Sequence, residues 1–197
     1  VIGTFIMVAT YSLFYIMTAF AQAYSRTPAT LSEAGYPMGL GIPANTFTGL
    51  LLMSAIVFAI FISISGLYAD KIGRRKWLIW TTVSILIFAL CMPLFLGNGT
   101  PTSVFAFLVI GMALMGMTFG PMAALLPELF PTEVRYSGAS LAYNIASIIG
   151  ATIAAMISLK INALYGLMGV GIYLAINAFL TLLALLASKE TKNVDLT

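Results

Sequence analysis

Apolar residues run along this chain in blocks of about 20, the length a helix needs to cross the hydrocarbon of a bilayer, and polar residues collect in the gaps between them. Six blocks are predicted to form transmembrane helices: residues 1–24, 46–69, 77–96, 103–129, 137–159 and 167–188. The longest gap, residues 25–45, holds Arg26, Pro28, Glu33, Pro37 and Pro43 and is expected to be an irregular loop. A tight turn is expected at Gly97-Asn98-Gly99-Thr100-Pro101, and residues 189–197 form a polar tail. The blocks are too long for barrel strands, and irregular backbone cannot face lipid. The expected fold class is therefore an all-α membrane protein of six transmembrane helices.

Composition agrees: 61% of the 197 residues are hydrophobic and 8% are charged, against about 25% charged in a soluble domain. The net charge of +3 does not point to nucleic acid, because the cations are confined to gaps and tail. Gly66–Lys76 is the densest charged stretch, with Asp70, Lys71, Arg74, Arg75 and Lys76. Six spans put Lys71, Arg74, Arg75, Lys76, Arg135, Lys189 and Lys192 on one side, and Arg26 and Lys160 on the other. By the positive-inside rule the first side is cytoplasmic, so both ends are expected in the cytoplasm and residues 25–45 outside. With no His and a single Cys91, there is no metal-ligand set and no intramolecular disulfide, and no cofactor is expected. The chain begins at Val1 inside an apolar run, without a basic leader, and reads as a piece of something longer.

Two acids stand at unfavourable places. Asp70 and Glu128 lie at the C-terminal ends of the second and fourth blocks, where the helix dipole disfavours an anion by roughly 0.3–1 kcal/mol. Arg74, Arg75, Arg135 and the start of the fifth helix at Ser137 are the available compensation, so a polar network joining the two loops is predicted. Gly66 would admit a close neighbour and Gly73 a sharp turn with positive φ. The competing reading makes these residues solvated loop charges that only set topology.

Polar side chains at mid-membrane depth face a cavity or another helix. Tyr11, Tyr15, Thr18 and Gln22 recur at helical spacing on the first block, and Ser140, Asn144 and Ser147 on the fifth, with Tyr143 beside them. Tyr11, Tyr15, Thr18, Gln22, Ser140 and Asn144 are the candidate substrate-binding residues. The alternative is interhelical hydrogen bonding, worth about 0.6 kcal/mol each. Gly111, Gly116, Gly120, Pro121 and Pro127 make the fourth block a kinked helix that either flexes or packs tightly. Met112, Met115, Met117 and Met122 read as packing, Asn177 as structural, and Trp77 and Trp80 as interfacial anchors. Every acid (Glu33, Asp70, Glu128, Glu133, Glu190, Asp195) lies in a loop, in the tail or at a helix end. A coupling carboxylate must then be Glu128 or lie elsewhere in a longer protein.

Gly66, Asp70, Gly73, Arg74 and Arg75 match the G-x-x-x-D-x-x-G-R-R signature of major facilitator transporters, with Lys71 where Arg is commoner. The run from Pro127 to Gly138, PELFPTEVRYSG, resembles the loop between the tenth and eleventh helices in the metabolite:proton symporter branch, which carries shikimate, dicarboxylates, citrate and proline/betaine. Lys189-Glu190-Thr191-Lys192 is similar to that branch's tail after the twelfth helix. The resemblance implies the C-terminal six-helix half of a twelve-helix carrier in a bacterial inner membrane, partnered by an N-terminal half. It places the first, fourth and fifth helices at a central cavity. It also implies alternating access, a small polar substrate (a carboxylate or zwitterion) moved with protons, and a cytoplasmic gate of Gly66, Asp70, Gly73, Arg74, Arg75, Glu128 and Arg135. A six-helix channel or homodimeric half-carrier is the alternative. An enzyme is not expected, since no catalytic set is present.

Overall fold

The computed structural model describes residues 2–148, 150 and 154–188. Helices account for nearly all of them: α1 (Ile2–Tyr15), a π-helical turn (Ile16–Phe20), α2 (Ala21–Arg26), α3 (Ala44–Ile72), α4 (Arg74–Leu90), α5 (Met92–Leu96), α6 (Pro101–Glu128), a 3-10 turn (Thr132–Val134), α7 (Arg135–Ser147) and α8 (Ala154–Ala187). Among the described residues, four helical stretches are long and apolar enough to cross a membrane: Gly3–Arg26, Ala44–Ile72, Pro101–Glu128 and Met156–Ala187.

The third predicted block differs from expectation by breaking in two at Cys91. Pro93 has no N–H to give the Ala89 carbonyl, so regular helix cannot continue through it, and α5 restarts with that proline in its first turn. Neither piece alone is long enough to count as a span. The fifth block is described only in part, since residues 149 and 151–153 lie outside the described residues, as does the predicted tail 189–197. Gly166, with φ 68 and ψ −172, interrupts α8 where the sequence placed the gap between the fifth and sixth blocks. The predicted turn at 97–101 is present, and Thr100 caps α6 by accepting a hydrogen bond from the Ser103 amide at 3.3 Å.

The long loop folds back on α2 instead of trailing. The Leu40 amide bonds the Tyr24 carbonyl at 3.1 Å and the Ile42 amide bonds that of Ser25 at 2.7 Å. Asn162 donates to the Pro37 carbonyl at 2.9 Å, which ties α8 to the same end of the bundle. Inside, α1 and α8 are joined through buried polar groups: Asn177 to Ser12 at 3.0 Å, and Thr181 to the Phe5 carbonyl at 2.7 Å.

A close helix approach joins α3 and α6, and it refines one expectation. A Cβ on Gly66 would meet nothing within 4 Å, whereas one on Gly120 would collide with the Ser65 hydroxyl and lie 2.7 Å from the Ile62 carbonyl oxygen. Gly116 is equally tight, and its carbonyl accepts the Ser65 hydroxyl at 3.0 Å. The glycines whose Cβ positions are filled are therefore on α6: the Gly66 backbone nitrogen lies 3.0 Å from the Cβ position of Gly120, while the Cβ direction of Gly66 itself is open. Because the Ile62 obstacle is backbone, Gly120→Ala is expected to cost about 1–3 kcal/mol from overpacking. Gly66→Ala, with open space at its Cβ inside a helix, should leave stability unchanged or raise it by up to about 1 kcal/mol, since alanine is the better helix former. Paired thermal unfolding in detergent measures both, and equal shifts would refute this assignment.

Candidate functional site

Gly73, with φ 111 and ψ 126, turns the chain between α3 and α4. That turn places Arg74 at the start of α4, within reach of two acids. Its Nε donates to Asp70 Oδ1 at 3.0 Å and its Nη1 to Glu128 Oε1. One guanidinium thus joins the C-terminal ends of α3 and α6, where the dipoles leave negative potential. The partners differ in environment: the Asp70 side chain is 62% exposed and that of Glu128 only 11%. Burial pulls the Arg74 pKa down, and the hydrogen bonds to Glu128 and then Asp70 more than reverse this, leaving it above its ordinary value. The second Glu128 oxygen is buried without a partner.

Among the described residues, Arg75 and Arg135 form no ion pair with Asp70 or Glu128. Arg75 donates Nε to the Leu185 carbonyl at 2.8 Å and Nη2 to that of Leu186 at 2.7 Å, capping the C-terminal end of α8. Consecutive helical residues point about 100° apart, so when Arg74 faces Asp70 and Glu128 its neighbour must face elsewhere. Arg135 turns back to the Thr132 hydroxyl at 3.3 Å, which the intervening 3-10 turn presents to it. Among the described residues it forms no ion pair. The fifth helix begins at Arg135, and none of its first amides bonds either acid among the described residues. The predicted dipole contact at Ser137 is therefore absent.

One participant was not anticipated. The Trp77 indole N–H donates to the Met117 carbonyl at 2.9 Å. This is the carbonyl four residues before Pro121, whose ring leaves it without a helical donor. Trp77 also stacks on Tyr68, with centroids 6.0 Å apart and planes 19° from parallel. The start of α4 is thereby fixed to α3 on one side and to the turn of α6 before Pro121 on the other. An orphaned carbonyl before Pro121 was the available signal, but sequence does not say which donor fills it.

The candidate substrate residues on the first helix, Tyr11, Tyr15, Thr18 and Gln22, are all half-buried. Residues between them, such as Leu13, Ile16, Met17 and Phe20, are fully buried. Thr18 donates its hydroxyl to the Phe14 carbonyl at 2.7 Å, so its donor is used within its own helix. Ser140 and Asn144 are exposed on α7, where the Asn144 amide donates to the Ser140 carbonyl at 2.8 Å. Tyr11 and Tyr143 pack against the same cluster of buried residues. Tyr11 also meets Phe119 edge-on at 6.4 Å, and Phe119 meets Phe58 at 5.7 Å. The face thus includes Tyr143, Phe119 and Phe58, aromatic residues that apolar periodicity cannot tell from packing.

Residues 38–197 match the family described as Sugar (and other) transporter. The chain belongs to this family of major facilitator transporters. Over its whole length the transporter chain is 87% identical to a Haemophilus influenzae protein provisionally named a metabolite transport protein, of which it covers 45%. It is 52% identical to the inner membrane metabolite transport protein YhjE of Escherichia coli, over 100% of this chain and 43% of that protein. Across 74% of the chain it is 32% identical to the proline/betaine transporter of Salmonella typhimurium, covering 29% of that protein. No solved structure matches it. The chain spans a little under half the length of the first two of these relatives. Family and relatives are transporters, not enzymes.

Proposed function

We propose that this chain is the C-terminal six-helix half of a secondary transporter that carries a small polar metabolite, a carboxylate or zwitterion, together with protons. In this reading α4 and α5 together form the third span, both ends of the chain lie in the cytoplasm, and the half rocks against its N-terminal partner in alternating access. The observation that carries it is the bridge of Arg74 to Asp70 and Glu128, in a chain whose family is one of transporters. A contact across the ends of two helices holds one conformation and must open when they separate. Asp70, Gly73, Arg74 and Glu128 form this latch. Arg75 serves the end of the last helix, and Arg135 holds the Thr132 hydroxyl.

The substrate face is Tyr11, Tyr15, Gln22, Ser140 and Asn144, extended by Tyr143 and Phe119, with Thr18 contributing only an acceptor. Relatives named for metabolites and for proline/betaine support a small polar solute. No Lys, Arg, Asp or Glu lies in the middle of an apolar block. The coupling carboxylate is accordingly assigned to the rest of the longer protein, unless Glu128 with its unpartnered oxygen takes that part.

Asp70→Asn in the full-length transporter provides the test. Because Asp70 is largely exposed, its pair is worth at most about 1 kcal/mol, so the conformational population should shift up to about fivefold. Labelling of a cysteine placed at the charged end should rise accordingly, while intrinsic substrate affinity stays within about twofold. If neither labelling nor transport changes, Asp70 has no part in a latch.

A further inference from the structure

The charged end of the bundle carries a second feature that the latch does not use. A groove of about 220 Å³ runs along α4 and is lined by Ile72, Lys76, Trp77, Trp80, Ser84 and Met117. It opens outward: Trp80 is 79% exposed and Ile72 50% exposed. Lys76 to Ser84 spans eight residues of helix, about 12 Å, so the groove reaches from the charged end well into the apolar part of α4.

The chemistry of the lining is one-sided. Thr81 also lines the groove; its hydroxyl and that of Ser84 are turned onto the Trp77 and Trp80 carbonyls, each at 3.0 Å, and the Trp77 N–H is taken by Met117. What remains along the groove is hydrocarbon, thioether and indole faces. At its mouth stands Lys76, exposed, with no ion pair among the described residues. The nearby acids Asp70 and Glu128 are both engaged by Arg74. An ammonium without an ion pair among the described residues, at the mouth of an apolar, outward-opening groove, matches a molecule with one anionic head and a long hydrocarbon tail.

We propose that this groove is a binding site for one anionic phospholipid, with Lys76 on the phosphate, Trp80 at the level of the glycerol esters and an acyl chain laid along α4. A water-soluble metabolite would find almost nothing polar in the lining. A neutral lipid would leave Lys76 without its partner. The tail would lie against Trp77 and Met117, the pair that satisfies the carbonyl opposite Pro121, so an occupied groove favours the conformation seen. The inference goes beyond transport and does not depend on the identity of the substrate.

Both tryptophans of the chain line the groove, so a brominated lipid reports its own arrival by quenching. The full-length transporter is placed in phosphatidylcholine vesicles containing either brominated phosphatidylglycerol or brominated phosphatidylcholine at equal mole fraction. The Trp80 signal is isolated as the difference from Trp80→Phe. Half-maximal quenching is expected at about fivefold lower mole fraction for phosphatidylglycerol, the ratio one cation is worth at an anionic surface. Lys76→Gln should make the two lipids equal, and Lys76→Arg should keep the preference. Equal quenching by both lipids in the wild type, or a preference that survives Lys76→Gln, means the groove holds bulk lipid and overturns the proposal.

Discussion

Replacing Arg74 with alanine is expected to destabilise the fold by about 3 kcal/mol, at the lower end of what breaking a buried ion pair costs. The loss arises mainly through Glu128, whose side chain is only 11% exposed and whose second oxygen already lacks a partner. Without the guanidinium its carboxylate is a buried, uncompensated charge at the negative end of α6. Asp70, 62% exposed, is solvated in either case and adds under about 1 kcal/mol. A double-mutant cycle separates the two. Glu128→Gln should recover most of the loss in the Arg74→Ala background, and Asp70→Asn should recover little. Reversible unfolding in detergent reads the cycle, and an Arg74→Ala protein as stable as the wild type would remove the bridge as a structural element.

The second large effect is expected at Trp77. Trp77→Phe keeps the ring against Tyr68 but removes the one side-chain donor that, among the described residues, bonds the Met117 carbonyl. Leaving that group unsatisfied away from water costs about 1–3 kcal/mol. The origin of the loss can be checked through Pro121. Pro121→Ala restores a backbone N–H four residues after Met117, so the helix itself can bond the carbonyl. In that background Trp77→Phe should cost less than half as much. Hydrogen exchange at the residues flanking Pro121 should rise in Trp77→Phe and return toward wild type in the double variant. A Trp77→Phe penalty independent of residue 121 would mean that indole packing, and not the hydrogen bond, supplies the stabilisation.

The bridge was partly legible in the chain, and the way it was incomplete is instructive. Asp70 and Glu128 were identifiable because an anion at a helix C-terminus calls for compensation, and Arg74 answers both. Sequence offered three arginines for that role and could not rank them. Helical phase turns Arg75 to the carbonyls of Leu185 and Leu186, and a 3-10 turn holds Arg135 on Thr132. Gly66 and Gly120 show the same limit. Both are small residues near a helix end, but which one receives a neighbour depends on the rotation of α3 against α6.

The hydrophobic pattern alone determined that this is a helical membrane chain and roughly where its apolar blocks begin and end. Burying backbone polar groups in hydrocarbon leaves so few solutions that block length and loop charge suffice. Family likeness was legible in the short charged motifs for a related reason: polar residues are scarce in such a chain, so those present stand out. Partner choice was decided only by the tertiary structure. Arg74 meeting Glu128, Arg75 meeting the end of α8, and Trp77 meeting the carbonyl ahead of Pro121 all join residues distant in sequence. Such contacts depend on the relative rotation and depth of packed helices. A helix in a bilayer is apolar toward lipid as well as toward its neighbours, so composition carries little information about that rotation.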